Sequence, residues 1–207
     1  MRIIDISQRV HSEMLVYPGD PKYVSETVSS FRDGDGYEVS RLVIGSHCGT
    51  HIDSPSHMLA GGDTIDQLPL DAFYGPCRVI TASAEDISEK MIISMAVKPG
   101  ERILLKTDPQ AKYGTERFNP SAISLSGARR LAEQKPLLIG IDAPSVENVE
   151  EHAGEIHRTL LSAGIVLLEG LCLSHVPDGA YMLSAFPLSL LGENGSPCRA
   201  VLIKNEG

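Results

Sequence analysis

The sequence predicts an α/β or α+β fold in which sheet forms the larger part. Three observations carry that expectation: a series of short apolar runs of strand length, three longer segments of helical character, and the composition of an ordinary folded protein. Of its 207 residues 42% are hydrophobic and 22% charged, close to the globular average and far from the signature of disorder. A chain of this length suits a single domain spanning residues 1–207, because it can bury one full core and would divide poorly into two.

Taken in order, Ile3 to Val10 has the apolar content of a strand. Tyr17-Pro18-Gly19-Asp20-Pro21 then imposes a rigid turn, since proline fixes φ and glycine permits φ > 0. Tyr37 to Ser46 reads as a second strand, and a Gly61-Gly62-Asp63 turn separates it from the later apolar runs. Further strands are expected at Cys77 to Ile80, Ile103 to Lys106, Leu137 to Ile141, Ile165 to Leu168 and Arg199 to Ile203. Helices are expected at Glu85 to Met91, Ser121 to Glu133 and Val149 to Leu161. No repeat, low-complexity tract or linker interrupts the series.

Charge and composition exclude several classes of function. A formal net charge of -9 and a pI near 5.2 leave no basic field to gather nucleic-acid phosphates or an anionic membrane surface. No stretch approaches 18 uninterrupted apolar residues, and Met1-Arg2-Ile3-Ile4-Asp5-Ile6 lacks the features of a signal peptide. A cytoplasmic protein acting on a small molecule is the expectation. Cys48, Cys77, Cys172 and Cys198 are scattered without paired spacing, which predicts buried free thiols rather than disulfides or a thiolate zinc cluster.

The segment His47-Cys48-Gly49-Thr50-His51-Ile52-Asp53-Ser54-Pro55-Ser56-His57 concentrates the chemistry. His47, His51, Asp53 and His57 fall at alternate positions, so an extended chain would place them on one face. A straight strand would spread His47 and His57 over roughly 33 Å, too far to meet at one ion, so the segment must bend. Gly49 and Pro55 stand where bending is needed. Imidazoles with a carboxylate form a nitrogen and oxygen set suited to Zn²⁺, Mn²⁺ or Fe²⁺, and His47, His51 and Asp53 would supply it while leaving a position open for water.

Two residues elsewhere join the candidates. Val149, Ala153, Ile156 and Leu160 mark an apolar helical stripe, and His157 lies at the edge of that inward face. Glu169 interrupts the run Ile165 to Leu173, where a buried carboxylate requires a cation or a proton. His11, His152 and His175 have no comparable setting and read as surface or loop residues. Asp142 reads as a turn-forming aspartate after a strand.

The histidine segment resembles the motif of the cyclase-like family of metal hydrolases that includes bacterial kynurenine formamidase. The likeness extends through Ile4-Asp5-Ile6, Tyr17-Pro18-Gly19-Asp20, Tyr74 to Ile80, Ile139 to Ser145, Leu168 to Leu171 and Ser196 to Val201. It implies a compact α/β domain with a central mixed β-sheet or barrel flanked by helices, of swivelling β/β/α type. It further implies hydrolysis of an aryl formamide, with one or two zinc ions, manganese being the alternative. By that resemblance His47, His51 and Asp53 hold the first ion, Asp53 bridges to a second, His157 holds the second, Glu169 serves both, and His57 is the catalytic acid/base. A homodimer or higher homo-oligomer is implied as well. Where the formamidases place a tryptophan against the substrate this chain has Tyr17, and it contains no tryptophan at all. That departure keeps in view a cyclic-amide hydrolase such as an isatin hydrolase; a non-catalytic metal-binding member is a separate rival, against which the open ligand set with His57 beside it argues.

Overall fold

A computed structural model describes residues 1–82, 86–107, 122–148 and 153–204. Along the chain these form β1 (Arg2–Asp5), β2 (Val24–Ser29), β3 (Val39–Val43), β4 (His51–Asp53), β5 (Tyr74–Thr81), β6 (Asp86–Ile87), α1 (Glu89–Ser94), β7 (Arg102–Lys106), β8 (Ala122–Ile123), α2 (Leu125–Gln134), β9 (Leu138–Ile141), α3 (Glu155–Ser162), β10 (Val166–Glu169), β11 (Gly179–Ser184), β12 (Gly195–Pro197) and β13 (Val201–Lys204). Nine of the strands build one mixed sheet in the order β1-β13-β11-β5-β7-β9-β10-β4-β12. Its centre, β5-β7-β9-β10, is parallel. Antiparallel strands extend it on both sides.

Parallel strands covered on both faces require apolar side chains at successive positions, which is what the short unbroken runs supply. Leu104, Leu138, Val166 and Leu168 turn to one core, which also holds Ile6, Ile52, Phe73, Leu183 and Leu202. Ile103, Leu105, Ile139, Ile141 and Leu167 turn to the other, against Ile92 of α1, Leu131 of α2 and Ile156 and Leu160 of α3. The sheet curls around the first core. The chain leaving β1 thereby meets the chain leaving β10: Cys172 N–H donates to the Ile6 carbonyl at 2.8 Å, and Ser7 bridges Leu171.

The helices begin later than the sequence pattern suggests. Glu85, Ser121 and residues 149–152 of the expected helices lie outside the described residues. Asp86–Ile87 and Ala122–Ile123 pair as short parallel strands, and α1 and α2 start only after Ser88 and Ser124, whose side chains accept the Met91 and Gly127 N–H groups. Such caps satisfy donors that the helix itself leaves unpaired. Ala153 is not on the α3 stripe. It adopts a left-handed conformation at φ 48 before the helix begins, and Ile156, His157, Leu160 and Leu161 form the buried face instead. The strand expected at Tyr37 to Ser46 is shorter. It pairs with β2 as a separate hairpin outside the main sheet.

Candidate active site

β4 is the scaffold of the site, and all three of its residues are buried between β10 and β12. The chain reaches it through Gly49 at φ 66, a conformation that glycine adopts without strain. It leaves through a 3-10 turn at Pro55–His57. The segment thus bends at the glycine and the proline that the spacing marked out. His51 and Asp53 remain neighbours on one face, Nε2 to Oδ1 3.4 Å.

Three other parts of the chain converge on this pair. Antiparallel pairing sets Glu169 of β10 opposite His51, with Oε2 3.4 Å from Nε2. From α3, His157 Nε2 reaches 3.3 Å from Glu169 Oε1 and 3.7 Å from Asp53 Oδ2. His47, in the turn before β4, places Nδ1 2.8 Å from Asp53 Oδ1. The His57 ring lies 4.0 Å from that of His47 and 5.8 Å from that of His157, centroid to centroid. Two trios, His47-Asp53-His57 and His51-Asp53-Glu169, each bring one donor atom per residue within 4.8 Å of one another. Asp53 belongs to both.

Hydrogen bonds behind the cluster orient it. His51 Nδ1 donates to the Gly49 carbonyl at 2.9 Å and His157 Nδ1 to Glu147 Oε2 at 2.7 Å, so each ring turns Nε2 inward. Glu169 Oε1 accepts the Val146 N–H at 2.7 Å and the Ser145 hydroxyl at 3.3 Å. Asn194 Oδ1 takes His47 Nε2 at 2.8 Å. Gly170, at φ 66 directly after Glu169, lets β10 approach the histidine segment, because a Cβ there would overlap the Gly49 carbonyl oxygen.

The cluster is short of positive charge at its centre. Burial disfavours protonation of His51, yet hydrogen bonds to Asp53 and Glu169 push its imidazole up to about 10. Burial likewise opposes protonation of His157, while Glu147 and Glu169 bring it up to about 10. Burial and the neighbouring Asp53 charge work against ionisation of Glu169, but His157 and His51 hold it at about 2. The flanking imidazoles keep Asp53 well below the usual carboxylate range in spite of its burial. These carboxylates demand cations, and protons on the imidazoles meet that demand where no metal does. Among the described residues Asp53 Oδ2 is buried without a hydrogen-bond partner, an arrangement that fits a divalent ion better than a closed hydrogen-bond network. His57 differs from its neighbours, burial pushing it below its ordinary value.

A cavity of about 150 Å³ opens over the cluster, with His47, His51, His57, His157 and Glu169 at its base and Tyr17 on its wall. With Asp53 beneath them, all seven residues singled out in the sequence come together here. His11 and His175 are exposed, and His175 bonds instead to the Asp5 carbonyl; His152 lies outside the described residues. Asp142 accepts the Thr107 N–H and hydroxyl at 2.8 and 2.6 Å, tying the end of β9 to the end of β7. The four thiols form no disulfide, and burial raises each of them. Glu147 and Asn194 were not visible as site residues in the sequence. Neither stands in a telling pattern, and Asn194 lies 147 positions from the histidine it contacts.

A buried nitrogen and oxygen donor set that faces a cavity, with a further imidazole at its edge, is what a candidate centre of a metal-dependent hydrolase requires. The comparisons with known proteins agree. Residues 4–148 match the model of the family described as Putative cyclase. The chain belongs to this cyclase family. It is 38% identical to a kynurenine formamidase of Salinibacter ruber, over 98% of this chain and 97% of that protein. A solved structure described as a potential metal-dependent hydrolase with cyclase activity superposes with a TM-score of 0.86 at 30% identity, covering 100% of this chain and 99% of the other. Isatin hydrolase A from Labrenzia aggregata shares the fold, with a TM-score of 0.84 at 22% identity over 99% and 94% of the two chains.

Proposed function

We propose that this protein hydrolyses an aryl formamide, converting N-formyl-L-kynurenine to L-kynurenine and formate in tryptophan degradation. The observation that carries the proposal is the convergence of His47, His51, Asp53, His157 and Glu169 at the base of a cavity that also presents His57. The relatives at 34 to 38% identity along nearly the whole chain are kynurenine formamidases, which supports this substrate over a cyclic amide.

His47, His51 and Asp53 would hold one Zn²⁺ or Mn²⁺ and His157 a second, with Asp53 and Glu169 shared. Bound divalent ions supply Lewis acidity and lower the pKa of water from 15.7 towards about 7. Gly49 and Glu147 fix the ring orientations of His51 and His157. Burial keeps His57 neutral at neutral pH, ready to accept the proton released as water adds and to deliver it to the departing arylamine nitrogen. Tyr17 lines the cavity where an aryl ring would lie. The proximity of His57 to His47 and Asp53 favours one competing role, that of a further ligand. His57→Ala separates the two: full metal content with slowed turnover supports the acid/base, and loss of metal supports the ligand.

The enzyme is further proposed to act in the cytoplasm as a homodimer or higher homo-oligomer. The β2–β3 hairpin stands apart from the main sheet with Val28, Phe31, Tyr37 and Leu42 each more than half exposed, apolar surface of the kind that oligomers cover. Light scattering on the purified protein tests this, and a monomeric mass refutes it.

The deciding experiment is steady-state hydrolysis of N-formyl-L-kynurenine, with isatin in parallel, by protein reloaded with Zn²⁺ or Mn²⁺. A kcat/KM of about 10⁴ M⁻¹s⁻¹ or more on the formamide, abolished by chelation, supports the proposal. Turnover of isatin alone moves the substrate to cyclic amides, and turnover of neither removes the catalytic reading.

A further inference from the structure

The cavity wall carries one acidic group that the proposed chemistry does not use. Tyr17, Pro18, Gly19 and Asp20 form a turn closed by the Asp20 N–H donating to the Tyr17 carbonyl at 2.9 Å, with Gly19 at φ 98. Proline at the second position and glycine of positive φ at the third are the signature of a type II turn, which has little freedom. The turn therefore brings an aromatic residue and an acidic one to line the same cavity.

Asp20 is half-buried. Among the described residues its carboxylate enters no hydrogen bond or ion pair. Its charge faces the histidine segment, where it adds to burial in raising the Cys48 thiol. The other carboxylate lining the cavity, Glu169, is engaged with His51 and His157. Among the described residues, no lysine or arginine lines the cavity. A carboxylate that lines a binding cavity and, among the described residues, has no ion-pair partner is complementary to a cation carried by the ligand, and it disfavours ligands that are neutral or anionic at that end.

We propose that Asp20 is a specificity-determining residue that binds a cationic amine of the substrate, so that the site selects aryl formamides bearing an α-ammonium group. This rests on the formamidase reading above and deepens it, since a neutral cyclic amide such as isatin carries no cation for Asp20 to bind.

The test compares N-formyl-L-kynurenine with 2′-formamidoacetophenone, which keeps the formamide, ring and ketone and lacks the α-ammonium and α-carboxylate together; loss of an Asp20–ammonium contact raises KM in Asp20→Asn, whereas relief of Asp20–carboxylate repulsion would lower it. In Asp20→Asn, KM for the first substrate should rise about tenfold with kcat held, the scale of one charge-assisted hydrogen bond, while both constants for the second stay unchanged. Asp20→Glu should recover most of the loss. The wild-type preference for the charged substrate should also shrink as salt is raised. Equal losses on both substrates, or none on either, overturn the proposal. Binding of L-kynurenine and 2-aminoacetophenone to the same variants is measured beside the kinetics. Should the wild type hydrolyse neither formamide, the formamidase reading falls, and the binding pair decides about Asp20: selective weakening of L-kynurenine upholds the ammonium site, and unchanged or equal weakening refutes it.

Discussion

Replacing Glu147 by glutamine probes how the metal centre is held rather than what it is made of. The Glu147 carboxylate is buried and, among the described residues, accepts the Gly154 N–H at 2.7 Å, the His157 N–H at 3.1 Å and His157 Nδ1 at 2.7 Å. The first two are backbone donors at the start of α3, whose cap residue, Gly154, has no side chain to offer. In Glu147→Gln the amide oxygen can keep the Gly154 contact, but an NH₂ group then faces the two His157 donors. Two hydrogen bonds to a charged acceptor are lost, at about 1.5 to 3 kcal/mol each, so destabilisation of at least about 3 kcal/mol is expected. For a chain of this size that lowers Tm by roughly 6 to 12 °C. With Nδ1 no longer anchored, Nε2 is not held toward Asp53 and Glu169, and metal affinity should fall about 10- to 100-fold. Thermal melts of the metal-free protein give the first figure, and competition against a chromophoric chelator gives the second. A variant with wild-type Tm and metal affinity within twofold of wild type would refute the role assigned to Glu147.

His51→Ala should lose metal and activity together, measured by elemental analysis and formamide hydrolysis; unchanged metal content would exclude His51 as a ligand. Gly170→Ala should destabilise by at least about 2 kcal/mol, since it adds a left-handed penalty of roughly 1–2 kcal/mol to overlap with the Gly49 carbonyl, and a wild-type urea midpoint would contradict this. Stability of the metal-free protein should depend on pH in a defined direction. His51 and His157 are raised to about 10, so what they contribute is complete below 6.5 and is lost as pH rises through about 10. Glu169 is held at about 2, so its contribution is present above 4.5 and is lost as pH falls through about 2. Denaturation midpoints of the apoprotein should therefore fall between pH 7 and 10, and a flat profile there would count against the cluster. Metal affinity should rise with pH across the same range, because the ion displaces imidazole protons; affinity independent of pH would mean that these imidazoles are not ligands.

Particular residues show how far the sequence could be read. The central strands of the sheet were legible because Ile103 to Leu105, Leu137 to Ile141 and Ile165 to Leu168 are unbroken by a charged or strongly polar side chain, as burial on two faces requires. β12 was not, since Gly195-Ser196-Pro197 has neither strand propensity nor pattern and is extended only because it pairs with β4. Helix starts were misjudged for a related reason. Ala122 and Ile123 are as compatible with a helix as with a strand, and pairing with β6 decides between them. Ala153 kept the helical spacing yet lies outside α3, where Gly154 and the distant Glu147 set the first turn.

By itself the sequence determined which residue types the candidate site would gather. The ligand types lie close together along the chain in one segment, glycine and proline mark its bends, and a lone carboxylate within an apolar run declares that it needs a cation. These are local properties of composition and spacing. Only the tertiary structure decided the geometry: that Glu169 stands opposite His51, that Glu147 orients His157 and the distant Asn194 holds His47, and that Asp20 lines the cavity with no ion-pair partner among the described residues. Those relations arise from strand register and helix packing. They are set by burial summed over the whole core, which no short stretch of residues contains.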